Sequence, residues 1–520
     1  MSRHGMRAAR PGRWLAAIGT LAVVAVPAAA GGLAAPPAAL AADVVSTAHP
    51  PSAHPPFNGG GWQATDWASS ATATRVSDVA AMIGAPGGSD GAGVGIALID
   101  TGVVQVPGLP AAQVVNGPDL SFESQGPAVR YLDTFGHGTH MAGIIVGDDP
   151  ASGFKGLAPK AKLTSVKVGT AHGAVDVSQM IAAVDWVVAH RDDDPANPIR
   201  VINLAYGSNS TQPASVDPLA YAVENAWRNG IVVVVSGGNT GGKSSSTLAN
   251  PAYDPFVLSV GSASTKGTRG YADDELSLFS SVSGGRNVDL LAPGESIVSL
   301  RDPGSSIDTA FPIARVGDRL FKGTGSSQAT AIVSGAVALL LQNRPNLRPD
   351  QVKALLKSSA TPLTRGKAAT MRLGELNLAA ALSKPAPAAG QPYLRSLGLG
   401  SLEYSRGGNH VSRNGLPLLG EVDLFGPFNV VDWTYRSAAG TAWNGGLWMG
   451  RRMAGDGWTG SSWASRTWAS ATWPGSPWGG GANWVDDEWS NHYWNGTYWA
   501  GTYWAGTYWA GDKWSNRYWR

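Results

Sequence analysis

Three polar residues, far apart in the chain, could together perform acyl-transfer chemistry. Asp100 ends the apolar run VGIALID, His137 stands between two glycines in DTFGHGTHMAG, and Ser327 follows a turn rich in glycine and serine in GTGSSQATAIVSG. A serine hydroxyl becomes a strong nucleophile when an imidazole takes its proton, and a carboxylate fixes the tautomer of that imidazole. These residue types therefore predict a nucleophilic hydrolytic site.

Each of the three residues also has a plainer interpretation. An aspartate after a strand is often a cap or turn residue, and a serine before a helix is often an N-cap. His137 and His140 could instead ligate a metal ion, although the sequence offers no obvious third ligand beside them. The combination of Asp100, His137 and Ser327 favours catalysis, and no metal site is predicted.

These residues need a scaffold that brings distant segments together. Short apolar runs suited to buried strands are VGIALID, LTSVKVG, VINLAYG, IVVVVSGG and FVLSVGS, and amphipathic helical stretches cover 177–191 and 216–230 between them. This alternation predicts an α/β fold, a parallel sheet flanked by helices. Functional groups in such a sheet collect at the carboxyl ends of the strands, where Asp100 stands.

The order and local sequence of these segments resemble the subtilisin-like serine peptidases, whose triad runs Asp, His, Ser along the chain. The resemblance covers about residues 94–382 and includes GLAPKAKLTSVKVG, VINLAYGS, SGGN and VDLLAPGESIVS. It implies a serine endopeptidase in which Ser327 attacks the scissile carbonyl. His137 would be the base and then the acid, Asp100 would orient His137, and the Asn239 amide would bind the oxyanion with the Ser327 N–H.

The segment around the nucleophile departs from the family pattern. It reads Gly-Ser-Ser-Gln-Ala over 325–329 in place of Gly-Thr-Ser-Met-Ala, so Ser326 stands beside the predicted nucleophile, and the frame of the following residues selects Ser327. Ala205 stands where the family usually has serine. The resemblance places two substrate-binding segments at the walls of the first specificity pocket: Ala205, Tyr206, Gly207 and Ser236, Gly237, Gly238.

Composition narrows the classes of partner and cofactor. The formal net charge of +2 argues neither for nor against a nucleic-acid partner, and none is predicted. The absence of cysteine excludes disulfides and thiolate metal sites. The resemblance implies protein or peptide substrates and no required cofactor. It leaves room for structural calcium, without assigning ligands to it.

The N-terminus has the three-part plan of a secretory signal peptide. Arginines at 3, 7, 10 and 13 precede the apolar run WLAAIGTLAVVAVPAAA, and Ala39-Leu40-Ala41 offers a cleavage site, with an uncleaved anchor as the alternative. No later run reaches the ~18 apolar residues of a membrane span, so we expect a secreted or cell-surface protein. The predicted divisions are a signal peptide (1–42), a linker or short pro-segment (43–90), a peptidase domain (91–385), a connector (386–440) and a tryptophan-repeat tail (441–520).

Tryptophan recurs at every fifth position of the tail, as in WNGTYWAGTYWAGTYWAG at 494–511. A period of five keeps residues on one face of neither a helix nor a strand, so it predicts a stacked, β-solenoid-like repeat module whose tryptophans pack on each other. One alternative is an exposed strip that binds cell-wall polysaccharide, and another is a disordered tail. Two rival functions are a catalytically silent surface protein with a wall-binding tail, and an esterase, whose G-x-S-x-G motif is absent around Ser327.

Overall fold

The computed structural model describes residues 73–452, apart from short gaps at 111, 126–128, 242–247, 283–284, 409, 414–415, 425 and 445–446, and it also describes the pairs 498–499 and 503–504. The predicted signal peptide, most of the predicted linker and most of the tryptophan repeat lie outside the described residues. Among the described helices, none is long and apolar enough to cross a membrane.

Helices and strands alternate through the described residues. The helices are α1 (Val76–Met82), α2 (His137–Val146), α3 (Val177–His190), α4 (Pro218–Arg228), α5 (Ser306–Ala310), α6 (Ser326–Asn343), α7 (Pro349–Ser359), α8 (Gly366–Met371), α9 (Leu378–Ser383), α10 (Leu402–Arg406) and α11 (Val430–Ala438). The first strands are β1 (Thr74–Arg75), β2 (Gly95–Asp100), β3 (Val114–Asp119), β4 (Asp148–Asp149), β5 (Phe154–Lys155), β6 (Lys162–Lys167), β7 (Ile199–Leu204), β8 (Tyr206–Gly207), β9 (Val232–Ser236), β10 (Leu258–Ser264), β11 (Glu275–Leu276), β12 (Leu290–Pro293) and β13 (Ile297–Leu300). The later strands are β14 (Arg315–Val316), β15 (Leu320–Thr324), β16 (Thr361–Pro362), β17 (Gly374–Glu375), β18 (Ser412–Arg413), β19 (Leu416–Pro417), β20 (Val422–Asp423), β21 (Gly426–Pro427), β22 (Trp443–Asn444), β23 (Leu447–Trp448), β24 (Arg451–Arg452), β25 (Tyr498–Trp499) and β26 (Tyr503–Trp504).

The central sheet has the strand order β16-β17-β12-β10-β9-β7-β2-β6-β3. Neighbours from β17 to β3 are parallel, whereas β16 pairs antiparallel with β17, and β11 pairs antiparallel with β10. Strand β2 is buried along its whole length, as expected for a strand with helices on both faces. The α/β fold predicted from the sequence is confirmed, but the sheet is mixed and not wholly parallel.

Helix α6 runs through the middle of the molecule. It packs on β7, β9 and β10 and against α2, and its residues from Ser326 to Leu341 are buried. The run IVSGAVALLL is apolar on every side, which suits a helix enclosed by other elements. Its Ser334 hydroxyl donates to the Asn203 side chain on β7 at 2.8 Å. This packing sets the position of the first turn of α6, where Ser327 lies.

Residues on both sides of the predicted peptidase domain belong to the same core. Strand β1 pairs in parallel with β13, and α1 buries Val76 and Val79. After the domain, the indole N–H groups of Trp433 and Trp448 donate to the Asp185 carboxylate on α3 at 2.8 and 3.0 Å. The domain boundaries stay predictions, but both flanks contribute buried side chains.

The first two tryptophans in the pentad register lie on this core. Trp443 and Trp448 are cross-strand partners in the β22–β23 pair, and the Trp443 indole donates to the Ala182 carbonyl on α3 at 2.8 Å. Both side chains are buried. The predicted packing of later tryptophans on each other concerns residues outside those described and stays a prediction.

Asp254 is a buried carboxyl in the segment between β9 and β10. Burial, and then the negative charge of Glu224, raise the pKa of Asp254 to about 8, against the lowering effects of the Phe256 N–H at 2.9 Å and the cations Lys353 and Arg286. The folded protein therefore binds a proton at Asp254 that an unfolded aspartate, with a pKa of about 3.9, releases. The free energy of unfolding should fall as the pH rises from about 4 to about 8.

Asp254→Asn should remove this loss of stability, because the amide does not titrate and its oxygen can still accept the Phe256 N–H. The variant should gain on the wild type by at most about 1.4 kcal/mol per pH unit between pH 4 and 8. Melting temperatures at pH 5 and pH 8 measure this, with the exposed Asp192→Asn as the control. A difference between variant and wild type that is the same at both pH values would contradict the assignment.

Candidate active site

The carboxylate and the imidazole predicted from the sequence are in direct contact. Asp100 is the last residue of β2, at the carboxyl end of a central strand, and His137 is the first residue of α2. His137 Nδ1 lies 2.8 Å from Asp100 Oδ1 and 3.0 Å from Oδ2, and the Thr101 N–H donates to Oδ1 at 2.8 Å. Both side chains are buried. The carboxylate accepts from Nδ1, which fixes the tautomer with the ring proton on that atom.

The two glycines beside His137 are required by close contacts. Gly136 has a φ of 100°, and a Cβ there would lie 2.4 Å from Ser305 Oγ. A Cβ at Gly138 would lie 2.0 Å from the Gly102 carbonyl oxygen. A side chain at either position would push the start of α2 away from β2, so the Gly-His-Gly sequence keeps His137 against Asp100.

Asp133 holds the first turn of α2, and the sequence analysis did not single it out. Its carboxylate accepts the N–H groups of Gly136 and Thr139, both at 2.7 Å, and the Thr101 hydroxyl at 2.7 Å. Burial raises the pKa of Asp133, against these hydrogen bonds. Its one signal in the sequence is an aspartate shortly before the helix start, three residues ahead of the N-cap residue Gly136.

Lys167 is a second positioning residue that the sequence did not reveal. It ends β6 and is buried, and its Nζ donates to the carbonyls of Thr101 and Leu132 at 2.8 and 2.6 Å. It also lies 3.0 Å from a Glu123 carboxylate oxygen. The ammonium group thereby ties the loop after Asp100 to the loop before His137.

The predicted nucleophile lies in the first turn of α6, beside a buried hydrogen-bonded group. Ser326 donates to Asn239 Oδ1 through its backbone N–H at 2.9 Å and through its hydroxyl at 2.7 Å. The Ser236 hydroxyl lies 2.6 Å from that of Ser326. Because the single Ser326 hydroxyl proton is directed to Asn239, Ser236 is the donor in this contact. Ser326 is thus engaged in positioning Asn239, and Ser327 is the next residue.

The two halves of the site meet where α2 packs along α6. His140, one turn into α2, has its Nε2 3.1 Å from the Phe321 carbonyl on β15, the strand that leads into α6. The Ser299 hydroxyl on β13 donates to the His140 carbonyl at 2.7 Å. The helix that begins with His137 and the strand that leads to Ser327 are therefore adjacent.

These contacts also bear on the metal-site alternative for the two histidines. His137 Nδ1 is directed to Asp100, whereas His140 Nε2 is directed to a backbone carbonyl. Burial, and then the proximity of His137, lower the pKa of His140 to about 3, so His140 is neutral and structural. Among the described residues, no group of three or more acidic or histidine side chains is placed to hold a metal ion.

The predicted substrate-binding residues form two backbone segments beside the site. Tyr206 and Gly207 form β8, directly after Ala205 at the end of β7. Gly237 and Gly238 follow Ser236 at the end of β9; the Gly237 N–H donates to the Val260 carbonyl at 2.8 Å, and Gly238 has a φ of 105°. The Ser236 side chain is directed into the cluster with Ser326, so only its backbone can face a pocket.

The described residues bring together a carboxylate–histidine contact at a strand end and, at the start of a buried helix, a serine pair hydrogen-bonded to an asparagine, an arrangement similar to that of α/β serine peptidases. The chain belongs to the subtilase family, whose family model matches residues 91–378. Those residues form a subtilisin-like serine endopeptidase domain.

This chain matches different shares of the length of its individual relatives. The serine protease AprX of Bacillus subtilis (strain 168) is 38% identical over 276 residues, which are 52% of this chain and 61% of AprX. Subtilisin DY of Bacillus licheniformis is 32% identical over 278 residues, which are 53% of this chain and 86% of that protein. Among solved structures, fervidolysin from Fervidobacterium pennivorans matches with a TM-score of 0.47 and 27% identity, covering 62% of this chain and 48% of fervidolysin.

Proposed function

We propose that the protein is an exported serine endopeptidase that hydrolyses peptide bonds through Asp100, His137 and Ser327. The observation that carries the proposal is the 2.8 Å contact between Asp100 and His137 Nδ1 at the carboxyl end of β2, next to the helix that begins with Ser326 and Ser327. An imidazole oriented in this way is the base that a serine nucleophile needs.

The reaction follows from the tautomer of His137. With its Nδ1 proton directed to Asp100, the neutral ring has its basic lone pair on Nε2, which takes the proton of Ser327 as its Oγ attacks the scissile carbonyl. The imidazolium then gives this proton to the leaving amine. Water repeats the cycle on the acyl-enzyme and releases the acid product. Asp100 stays ionised throughout and stabilises the imidazolium.

The oxyanion is bound by the Asn239 side chain and the Ser327 backbone N–H. Asn239 Oδ1 accepts from Ser326, which turns the NH₂ end of the amide away from Ser326 and fixes its direction before substrate arrives. A donor that is already oriented stabilises the charge that develops in the transition state without reorganising. Ser326 and Ser236 therefore act on the reaction by holding Asn239.

The substrate backbone extends along β8 and the segment 236–238, with backbone hydrogen bonds as the main recognition. Export rests on the basic, apolar and small-residue regions at the N-terminus. We assign no cofactor to the reaction, and we assign no residues as ligands of structural calcium.

Asp100→Asn tests the triad and should lower kcat on a chromogenic peptide by about 10⁴-fold, because the amide favours the wrong imidazole tautomer while leaving the shape of the site unchanged. The exposed Asp432→Asn is the control and should match the wild type in kcat and in thermal unfolding. Equal activity of the Asp100 variant would contradict the mechanism. A wild-type enzyme that neither cleaves peptides nor reacts with a serine-directed phosphonate would instead support the catalytically silent surface protein.

A further inference from the structure

One part of the tryptophan tail pairs with the edge strand proposed to bind substrate. Strand β25 runs antiparallel to β8, with Tyr498 opposite Gly207 and Trp499 opposite Tyr206. Among the strands of the described residues, β25 is the only partner of β8. An extended segment added to a free strand edge is the ordinary mode of peptide recognition by a sheet, and here the segment belongs to the same chain.

The next repeat pairs on the other side of the nucleophile. Strand β26 runs antiparallel to β15, with Tyr503 opposite Thr324 and Trp504 opposite Gly323. Thr324 stands three residues before Ser327 and is separated from α6 by Gly325 alone. The tail therefore touches the strand that delivers the nucleophile.

The two pairs are both antiparallel and follow one another along the chain, as one extended segment in the proposed channel would. In chain order, β25 pairs with β8, which would hold the acyl side of a substrate, and β26 pairs with β15, which would hold the leaving side. Three residues, Ala500 to Thr502, connect Trp499 to Tyr503. Since a chain spans at most about 3.3–3.6 Å per residue, the Cα atoms of Trp499 on β25 and Tyr503 on β26 lie within about 14 Å of each other.

Burial of the catalytic groups gives a separate indication. Ser327 and His137 are 0% exposed, and Asn239 is 4% exposed, when the whole chain is present. A protein substrate must reach these groups, and in the full chain they are enclosed. Strands β25 and β26 are the described segments that pair on both sides of Ser327.

We propose that strands β25 and β26, from two of the TYW repeats, occupy the substrate channel as a tethered competitive inhibitor. This inference rests on the proposed function, because it takes β8 and β15 as the walls of the channel. GTYWA occurs three times in succession from Gly496, so a shift of five residues presents the same sequence again. A tethered segment has an effective concentration that can approach the millimolar range, which compensates for weak binding of each repeat.

Proline substitutions in the full chain test the inhibitor. Trp499→Pro, Trp504→Pro and Trp509→Pro together should disrupt all three TYW copies, because proline lacks the N–H that a paired strand donates. The matched control has Trp458→Pro, Trp463→Pro and Trp468→Pro in earlier pentads of the same tail. The measurement is kcat/KM on a chromogenic peptide at several enzyme concentrations, with phosphonate labelling of Ser327 to count active sites.

Per labelled site, the first variant should have a kcat/KM about tenfold above that of the wild type, through a lower apparent KM. This factor corresponds to a repeat whose dissociation constant is about one tenth of its effective concentration. The difference should not depend on the enzyme concentration, because the inhibitor is part of the same chain. The control should match wild type. Equal kcat/KM in all three proteins, with normal labelling, would overturn the inhibitor and leave the peptidase intact. Cleavage of the wild-type tail between 499 and 503, seen by mass spectrometry, would make the segment a substrate and also overturn it. No labelling or hydrolysis in any of the three would overturn the peptidase, and the inhibitor with it.

Discussion

Ser327→Ala is expected to abolish hydrolysis and phosphonate labelling, lowering kcat by about 10⁶-fold, the magnitude known for loss of the nucleophile in a subtilisin. Ser327 lies in the first turn of α6, and the hydroxyl of its neighbour Ser326 is already engaged with Asn239 Oδ1. Labelling detected by intact mass separates loss of chemistry from loss of substrate binding. Circular dichroism and thermal unfolding should show a folded variant.

Ser326→Ala is the matched comparison, since it removes a hydroxyl one residue away. The backbone N–H of Ser326 still donates to Asn239 Oδ1, but the second hydrogen bond is lost and the buried Ser236 hydroxyl loses its acceptor. We expect kcat to fall by about tenfold, the effect of one net hydrogen bond of about 1–1.5 kcal/mol, with labelling retained. If Ser326→Ala abolished hydrolysis and Ser327→Ala retained it, the nucleophile assignment would be off by one residue.

The sequence could place the catalytic candidates because each stands in a short local pattern. Asp100 ends an apolar strand run, His137 stands between glycines, and Ser327 begins an apolar helix, so their types and surroundings are readable without knowledge of the fold. The supporting residues lack such a pattern. Lys167 acts through two loops that only the folded sheet brings beside it, and Asp133 connects the local turn before α2 to Thr101, 32 residues away.

The lack of a local pattern also explains why the antiparallel strands of the sheet and the packing of the connector were not predicted. The short antiparallel strands β11 and β16 have two residues each, too few for a period of two to be recognised. No helix or strand was predicted in the connector, yet Trp433 donates its indole N–H to Asp185 on α3. A partner so distant in sequence leaves no periodic signal in the connector itself.

Ser236 illustrates a side chain whose surroundings the resemblance did not indicate. Its position next to Gly237 and Gly238 fits a pocket wall, but its hydroxyl is hydrogen-bonded to Ser326 Oγ inside the molecule. In the nucleophile segment the residue before Ser327 is a serine in place of the family threonine, and this serine bonds both Ser236 and Asn239. A substitution that looked like an ambiguity in the nucleophile is thus part of the support for the oxyanion site.

A chain that ends at residue 385 is expected to lose cooperative folding, whereas a chain that ends at residue 452 should keep it. Cutting at 385 removes the buried indoles of Trp433, Trp443 and Trp448 from α3 and leaves Asp185 without the donors that surround it. Burying each indole removes about 150–250 Å² from water, worth roughly 4–6 kcal/mol, so three of them match the whole stability of a typical domain.

Calorimetry on the two truncated chains and on the full chain measures this effect. The melting temperature of the chain ending at 452 should lie within a few degrees of that of the full chain, because residues beyond 452 contribute only the short β25 and β26 pairs among the described contacts. Trp448→Phe in the full chain is the intermediate case: it keeps most of the packing but removes the N–H to Asp185, and it should cost about 1–3 kcal/mol. Equal melting temperatures for the chains ending at 385 and 452 would show that the connector is an accessory to the peptidase domain and not part of its core.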